Sequence, residues 1–152
     1  MPRDNKHAPE DVPQDALIVR SLTVKTDRLD ILVEVPHPAN RRTSPQLASR
    51  IKDTYPELPF HTCINDAGPT FGHTMDGTST PHLLEHLIIA EQTRNDRVPL
   101  CTTLVGTTVW LDENAGLARI EVNFTDDLIV LEALRNALGV LNGLLSTGCS
   151  AQ

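Results

Sequence analysis

His82, Glu85 and His86 stand at i, i+3 and i+4 in the run PHLLEHLIIAEQTRN. On a helix, with 100° between residues, these three positions fall on one stripe. Two imidazoles one turn apart can bind one metal ion, and a carboxylate beside them can take a proton from water on that metal. HxxEH in this order is the inverzincin arrangement, with Glu85 as the base and zinc as the metal it most often holds. The competing reading is a set of core side chains satisfied by hydrogen bonds alone.

Such a site needs a third protein ligand, and Glu121 is the candidate. In LARIEVNF, Ile120, Val122 and Phe124 alternate with Arg119, Glu121 and Asn123, so Glu121 points to the face opposite the apolar set. The same alternation also describes a solvated strand face. His73 and Asp76 lie on a glycine-containing loop before the helix and can close over the site as a fourth ligand or as substrate contacts, or be plainly solvated. His61 and Cys63, two apart on one side of a short extended segment, become chelating neighbours or substrate contacts if that segment faces the histidine helix; otherwise Cys63 is a buried thiol. Glu91 falls roughly opposite His82 on the wheel and cannot share its metal. His37, between two prolines, and His7 carry no argument.

The elements that must position these residues follow from the apolar pattern. Leu83, Leu84, Leu87, Ile88, Ile89 and Ala90 spread around the wheel, which predicts a buried helix starting at Thr80-Pro81. ALIVRSLTVK (16–25) and LDILVEV (29–35) read as two strands joined by a short turn. Ser44-Pro45 caps a short helix that carries Leu47, Ile51 and Tyr55 and ends before Pro56. PFHTCI (59–64) reads as extended, and residues 65–80, with three glycines and no periodicity, as a long loop. CTTLVGTTVWL (101–111) and LARIEVNF (117–124) flank the hairpin loop 112–116, and a Leu-rich helix runs from about 127 to 145 behind a Thr125 or Asp126 cap. The order ββα, loop, α, ββα predicts an α+β fold: a two-layer sandwich with a mainly antiparallel sheet and helices on one face. One domain is expected over 15–147, between a charged, proline-containing tail at 1–14 and a short tail at 148–152.

Composition narrows the function classes. The 152 residues carry 13 Lys+Arg against 20 Asp+Glu, a net charge of -7, which offers no long-range pull on phosphate backbones; nucleic acid is not an expected partner. Apolar stretches short of the ~20 residues of a membrane span, and a charged N-terminus, predict a cytoplasmic protein without a membrane partner. Three widely spaced cysteines fit neither a disulfide framework nor a zinc knuckle. No P-loop, GxGxxG or GxSxG occurs, so neither a nucleotide site nor a serine-hydrolase site is indicated.

The chain also resembles a known family. Pro38-Ala39-Asn40, the HTC of His61 to Cys63, HLLEH at 82–86 followed by Glu91-Gln92, and the acidic Glu121 make it similar, with gaps from about Leu17 to Leu145, to the N-terminal domain of cyanophycin synthetases. That family polymerises aspartate and arginine on further ATP-grasp and Mur-ligase-like modules, which 152 residues do not accommodate, so synthetase activity is not expected here. The resemblance implies handling of an Asp/Arg polymer and, in some members, a metallopeptidase-like site with His82 and His86 as ligands and Glu85 as base. The loop before the helix and the TLVGTTV segment depart from the family pattern. More distantly, HxxEH and the α+β sandwich resemble pitrilysin-type peptidases, with the likeness stopping at the motif.

These observations lead to an expected zinc-dependent hydrolase of peptide or isopeptide bonds, with zinc on His82, His86 and Glu121. The alternatives are a non-catalytic binding module for an Arg-rich polymer or a protein partner, and an assembly protein that pairs its sheet edge with another copy of itself as a homo-oligomer.

Overall fold

The computed structural model describes residues 15–65 and 68–148. The tail expected over 1–14 lies outside the described residues, as do 149–152; the last helix continues to Gly148. Four strands, β1 (Ile18–Val24), β2 (Arg28–Glu34), β5 (Gly106–Asp112) and β6 (Leu117–Asn123), form an antiparallel sheet in the order β1-β2-β6-β5. A separate hairpin pairs β3 (Thr62–Asn65) with β4 (Gly68–Thr70). Three helices complete the fold: α1 (Pro45–Thr54), α2 (Thr80–Thr93) and α3 (Asp127–Gly148).

The alternation in β2 and β6 decides which face of the sheet is covered. Leu29, Ile31, Val33, Ile120 and Val122 are almost fully buried and join one core cluster with Leu84, Leu87 and Ile88 of α2 and Val130, Leu134 and Leu141 of α3. Each such side chain contributes roughly 1.5–3 kcal/mol on burial. The helices therefore sit on one face, as an α+β two-layer sandwich. The other face carries ion pairs, with Asp30, Arg119, Glu121 and Arg28 side by side.

Local signals set the helix ends. Ser44 accepts the Leu47 N–H ahead of Pro45, Ser79 accepts the His82 N–H ahead of Pro81, and Asp126 accepts the Leu128 N–H. Gly116 closes the β5–β6 hairpin at φ +72°, where an added Cβ would lie 2.2 Å from the Val35 carbonyl oxygen. Asn142 of α3 clamps the chain entering β1, accepting from Leu17 N–H and donating to Leu17 O.

Three expectations need correction. Residues 65–80 are not one long loop: β4 and a 3-10 turn at Phe71–His73 lie within them, both too short for any periodicity to reveal. Strand β5 begins at Gly106 rather than 101: Val105 O still accepts the Asn123 backbone N–H, but beyond it the Asn123 side chain takes over, accepting Val105 N–H and donating to Thr103 O. Among the described helices α3 is long and apolar enough to cross a membrane by length and composition, because its alanines, glycines and few charges extend the leucine pattern; one face of it packs in the core.

Candidate metal centre

Helix α2 is buried around most of its circumference, which carries Glu85 and His86 into the interior with side chains only 5% and 3% exposed. Its start is fixed from outside. Thr80 N–H and Oγ1 donate to the carbonyls of Arg41 and Asn40, while Thr43 Oγ1 accepts Gly77 and Thr78 N–H and donates to Met75 O. This places Thr78 Oγ1 at 2.8 Å from His82 Nδ1. The contact occupies Nδ1 and leaves Nε2 facing Cys63 Sγ at 3.5 Å.

Cys63, His82 and His86 each offer a ligand atom, and these atoms lie within 4.8 Å of one another. The β3–β4 hairpin supplies the sulfur from one side and α2 the two imidazoles from the other. A phenyl ring closes the back: Phe71, fully buried, stacks on His86 at 3.9 Å between centroids and meets His82 edge-on at 5.1 Å. His61 approaches from the same segment as Cys63, its Nδ1 at 3.2 Å from His86 Nδ1. One sulfur and two nitrogens form a donor set that can hold a metal ion.

Burial shifts the three histidines and Glu85. It draws His61 and His82 below the usual imidazole range, and it takes His86 down to about 3 with the help of its two neighbouring imidazoles. The histidines thus stand neutral at pH 7 and present lone pairs, the form a metal requires. Glu85 is pushed up to about 7 by burial, against the stabilising hydrogen bond from Thr108 Oγ1 to its Oε1 at 2.8 Å. Its Oε2 lies 3.6 Å from His86 Nε2. With the imidazole neutral, this contact is not an ion pair.

These groups line a cavity of about 1070 Å³ that continues along residues 102–109 into the edge strand β5. Gly106 permits the contact of strand and helix, since a Cβ there would meet Glu85 Cγ at 2.7 Å. Among the described residues, Glu85 is the only carboxylate in the lining, and no Lys or Arg reaches it.

The structure brings together His82, Glu85, His86, His61 and Cys63, and separates the remaining candidates. Glu121 is not beside the histidines. It lies on the opposite face of the sheet, its carboxylate 3.0 Å from Arg28 Nη1 and 2.7 Å from Arg119 Nη2. His73 is exposed and turned back onto Thr70 in a capping box, and Asp76 is exposed on the turn before α2; neither lines the cavity. Glu91 accepts a hydrogen bond from Tyr55 OH, away from His82. Sequence reasoning overlooked Thr78, Thr108 and Phe71; only the four-residue spacing from Thr78 to His82 hinted at contact, and only once a helix start was assumed.

No family model, curated protein or solved structure matches the chain.

Proposed function

We propose that this protein is a zinc-dependent hydrolase of peptide or isopeptide bonds, with Cys63, His82 and His86 holding the zinc and Glu85 acting as general base. One observation carries the reading: a buried carboxyl near pH 7 in its titration stands beside a Cys/His/His donor set in the wall of a cavity. The donor types suit zinc, and one edge of the set already has the length zinc would set. With Zn–S of about 2.3 Å and Zn–N of about 2.0–2.1 Å, the S···N edge of a tetrahedral centre is roughly 3.5 Å, and Cys63 Sγ to His82 Nε2 measures 3.5 Å. Thr78, bonded to His82 Nδ1, is the outer partner that fixes which nitrogen is offered.

Zinc, when bound, supplies a Lewis acid that lowers the pKa of water toward ~7 and polarises a carbonyl. The chain's own residues supply the rest. Glu85 Oε2 takes a proton from the attacking water and returns it to the leaving amine, the role of a buried carboxylate held beside the donor set. Thr108 holds Oε1 so that Oε2 stays free. Phe71 keeps bulk water from the rear of the two imidazoles. Among the described residues the lining offers one carboxylate and no cationic side chain, which suits an uncharged amide, so the arginines of an Asp/Arg polymer would lie along its rim. A zinc-bound thiolate suits the reducing setting of a cytoplasm.

Metal content measured by mass spectrometry on protein purified without added zinc tests the reading. The expected result is near one zinc per chain in wild type and in Glu121→Ala, and loss in Cys63→Ser and His82→Ala. Glu85→Gln should keep the zinc and the melting temperature yet fail to cleave Asp/Arg peptides that wild type turns over. A folded wild type that stays empty on zinc titration defeats the proposal and leaves the cavity to a binding module.

A further inference from the structure

Every residue from 102 to 109 lines the cavity, and within β5 that takes in Thr107 and Val109 of the outer face as well as Gly106 and Thr108 of the inner one. A cavity lying against one face of a strand would touch alternate residues. Contact with both sets means that the wall here is the edge of the strand itself. β5 ends the sheet order, so among the described residues no strand pairs on that side. Its register settles which backbone groups are open there. Val105 O accepts the Asn123 N–H, and opposed residues of an antiparallel pair alternate between bonded and unbonded. Thr107 and Val109, opposite Glu121 and Arg119, therefore bond β6, whereas Gly106 and Thr108, opposite Val122 and Ile120, turn their N–H and C=O groups away from it, out along the cavity.

The edge is also unguarded. From Leu104 to Leu111 there is no charged residue and no proline, and the irregularity in the ladder comes only after Trp110. The opposite edge, β1, carries Arg20 and a bulge between Val19 and Ser21, two features that discourage an added strand. Glu85 lies directly under the open groups of β5: Thr108 Oγ1 bonds its Oε1 at 2.8 Å, and only the missing Cβ of Gly106 leaves room for its Cγ. A chain added to this edge at the usual strand spacing of about 4.7–4.9 Å is carried past that carboxylate.

We propose that the free edge of β5 is where the substrate docks: an α-linked peptide in extended form adds to the four-stranded sheet as a fifth strand, bonded through its main chain to the N–H and C=O groups of Gly106 and Thr108. This rests on the hydrolase reading of the cavity and narrows its substrate class, because a chain linked through side-chain isopeptide bonds lacks the regular two-residue repeat of N–H and C=O that such an edge pairs with. A second copy of the protein is the other occupant an open edge invites. That copy would fill the groove lined by Glu85, and it would bring together two chains of net charge -7. A short peptide meets neither obstacle.

Amide hydrogen exchange read by NMR tests this, with an α-linked hexapeptide of alternating Asp and Arg as the probe and Glu85→Gln as the protein that holds it uncleaved. With the peptide at about ten times its Kd, exchange at the Gly106 and Thr108 amides should slow about 10-fold, while Thr107 and Val109, already bonded to β6, change little. The same peptide methylated on its backbone nitrogens, and an isomer linked through the aspartate side-chain carboxyls, should each bind about 10-fold more weakly or worse. Equal binding of either analogue, binding that leaves Gly106 and Thr108 unprotected, dimers that protect those amides without peptide, or no binding at millimolar peptide overturns the proposal. Turnover by the zinc protein without protection of the two amides keeps the hydrolase and removes the docking edge. Protection without turnover keeps the docking edge and removes the hydrolase.

Discussion

Gly106→Ala adds one methyl group at the point where strand β5 meets helix α2. The new Cβ would lie 2.7 Å from Glu85 Cγ, 2.9 Å from Cδ and 3.0 Å from the Glu121 carbonyl oxygen. Carbon–carbon contacts are comfortable at about 3.5–4.0 Å, so the Glu85 side chain must retreat by roughly 1 Å, since the Glu121 carbonyl belongs to the neighbouring strand. That shift takes Oε1 out of range of Thr108 Oγ1, now at 2.8 Å. Overpacking and the weakened bond to a buried carboxylate together cost roughly 2–4 kcal/mol, read as a lower urea midpoint at pH 8. A base displaced by that much should lose about 100-fold in turnover. Zinc content should stay near one per chain, because none of the three ligands touches Gly106. The decisive comparison is a double-mutant cycle: with Glu85→Ala already present, the clash with Cγ and Cδ is gone and only the 3.0 Å approach to the Glu121 carbonyl remains, so Gly106→Ala should cost clearly less than in wild type. Equal costs in both backgrounds, or zinc lost along with turnover, would refute the argument that Gly106 exists to make room for Glu85.

Two further predictions concern the scaffold. Asp30 is held below its ordinary value of 3.8, chiefly by the hydrogen bond from Arg119, against desolvation and with further help from Lys25. A depressed carboxylate contributes stability that is present above the unfolded pKa and lost as pH falls through the folded one. Melting temperatures measured from pH 6 to pH 2 should therefore fall less steeply below pH 4 for Asp30→Asn than for wild type; parallel curves would show that the outer ion-pair cluster adds nothing. Gly116→Ala places a side chain at φ +72° and 2.2 Å from Val35 O, so the hairpin should lose more than about 1 kcal/mol in denaturant titration, and an unchanged midpoint would contradict the need for glycine there.

The core was legible because β2, β6 and the Leu-rich α3 repeat their apolar residues long enough for the period to declare itself. Glu121 shows where a correct rule led to a wrong ligand. Alternation properly set it opposite Ile120 and Val122, but in a two-layer fold the helices cover the apolar face, and the histidines ride on a helix. A strand residue opposite the apolar set is thereby kept away from any centre on α2. Cys63 was harder to place, since a four-residue strand has no alternation to read and its direction depends on a hairpin that only tertiary contacts define. Thr78 and Thr108 carry no signal of their own: a threonine hydroxyl becomes informative only once its partner is known.

The cost of burial explains why these side chains make poor packing material and good metal ligands. Helix α2 buries a carboxyl and two imidazoles where leucine would serve the core better, and desolvation pushes each toward its neutral form, with no opposite charge to offset it among the described residues. Arginine or lysine partners, which satisfy Asp30 and Glu121 on the outer face, are absent from the cavity lining among the described residues. A cation in the Cys63, His82 and His86 set would supply that missing positive charge and draw the nearby Glu85 carboxyl toward its ionised state. It would bind the folded chain alone, because the sulfur and the imidazoles come from segments that only the fold brings together. Metal binding and folding stability are then one equilibrium.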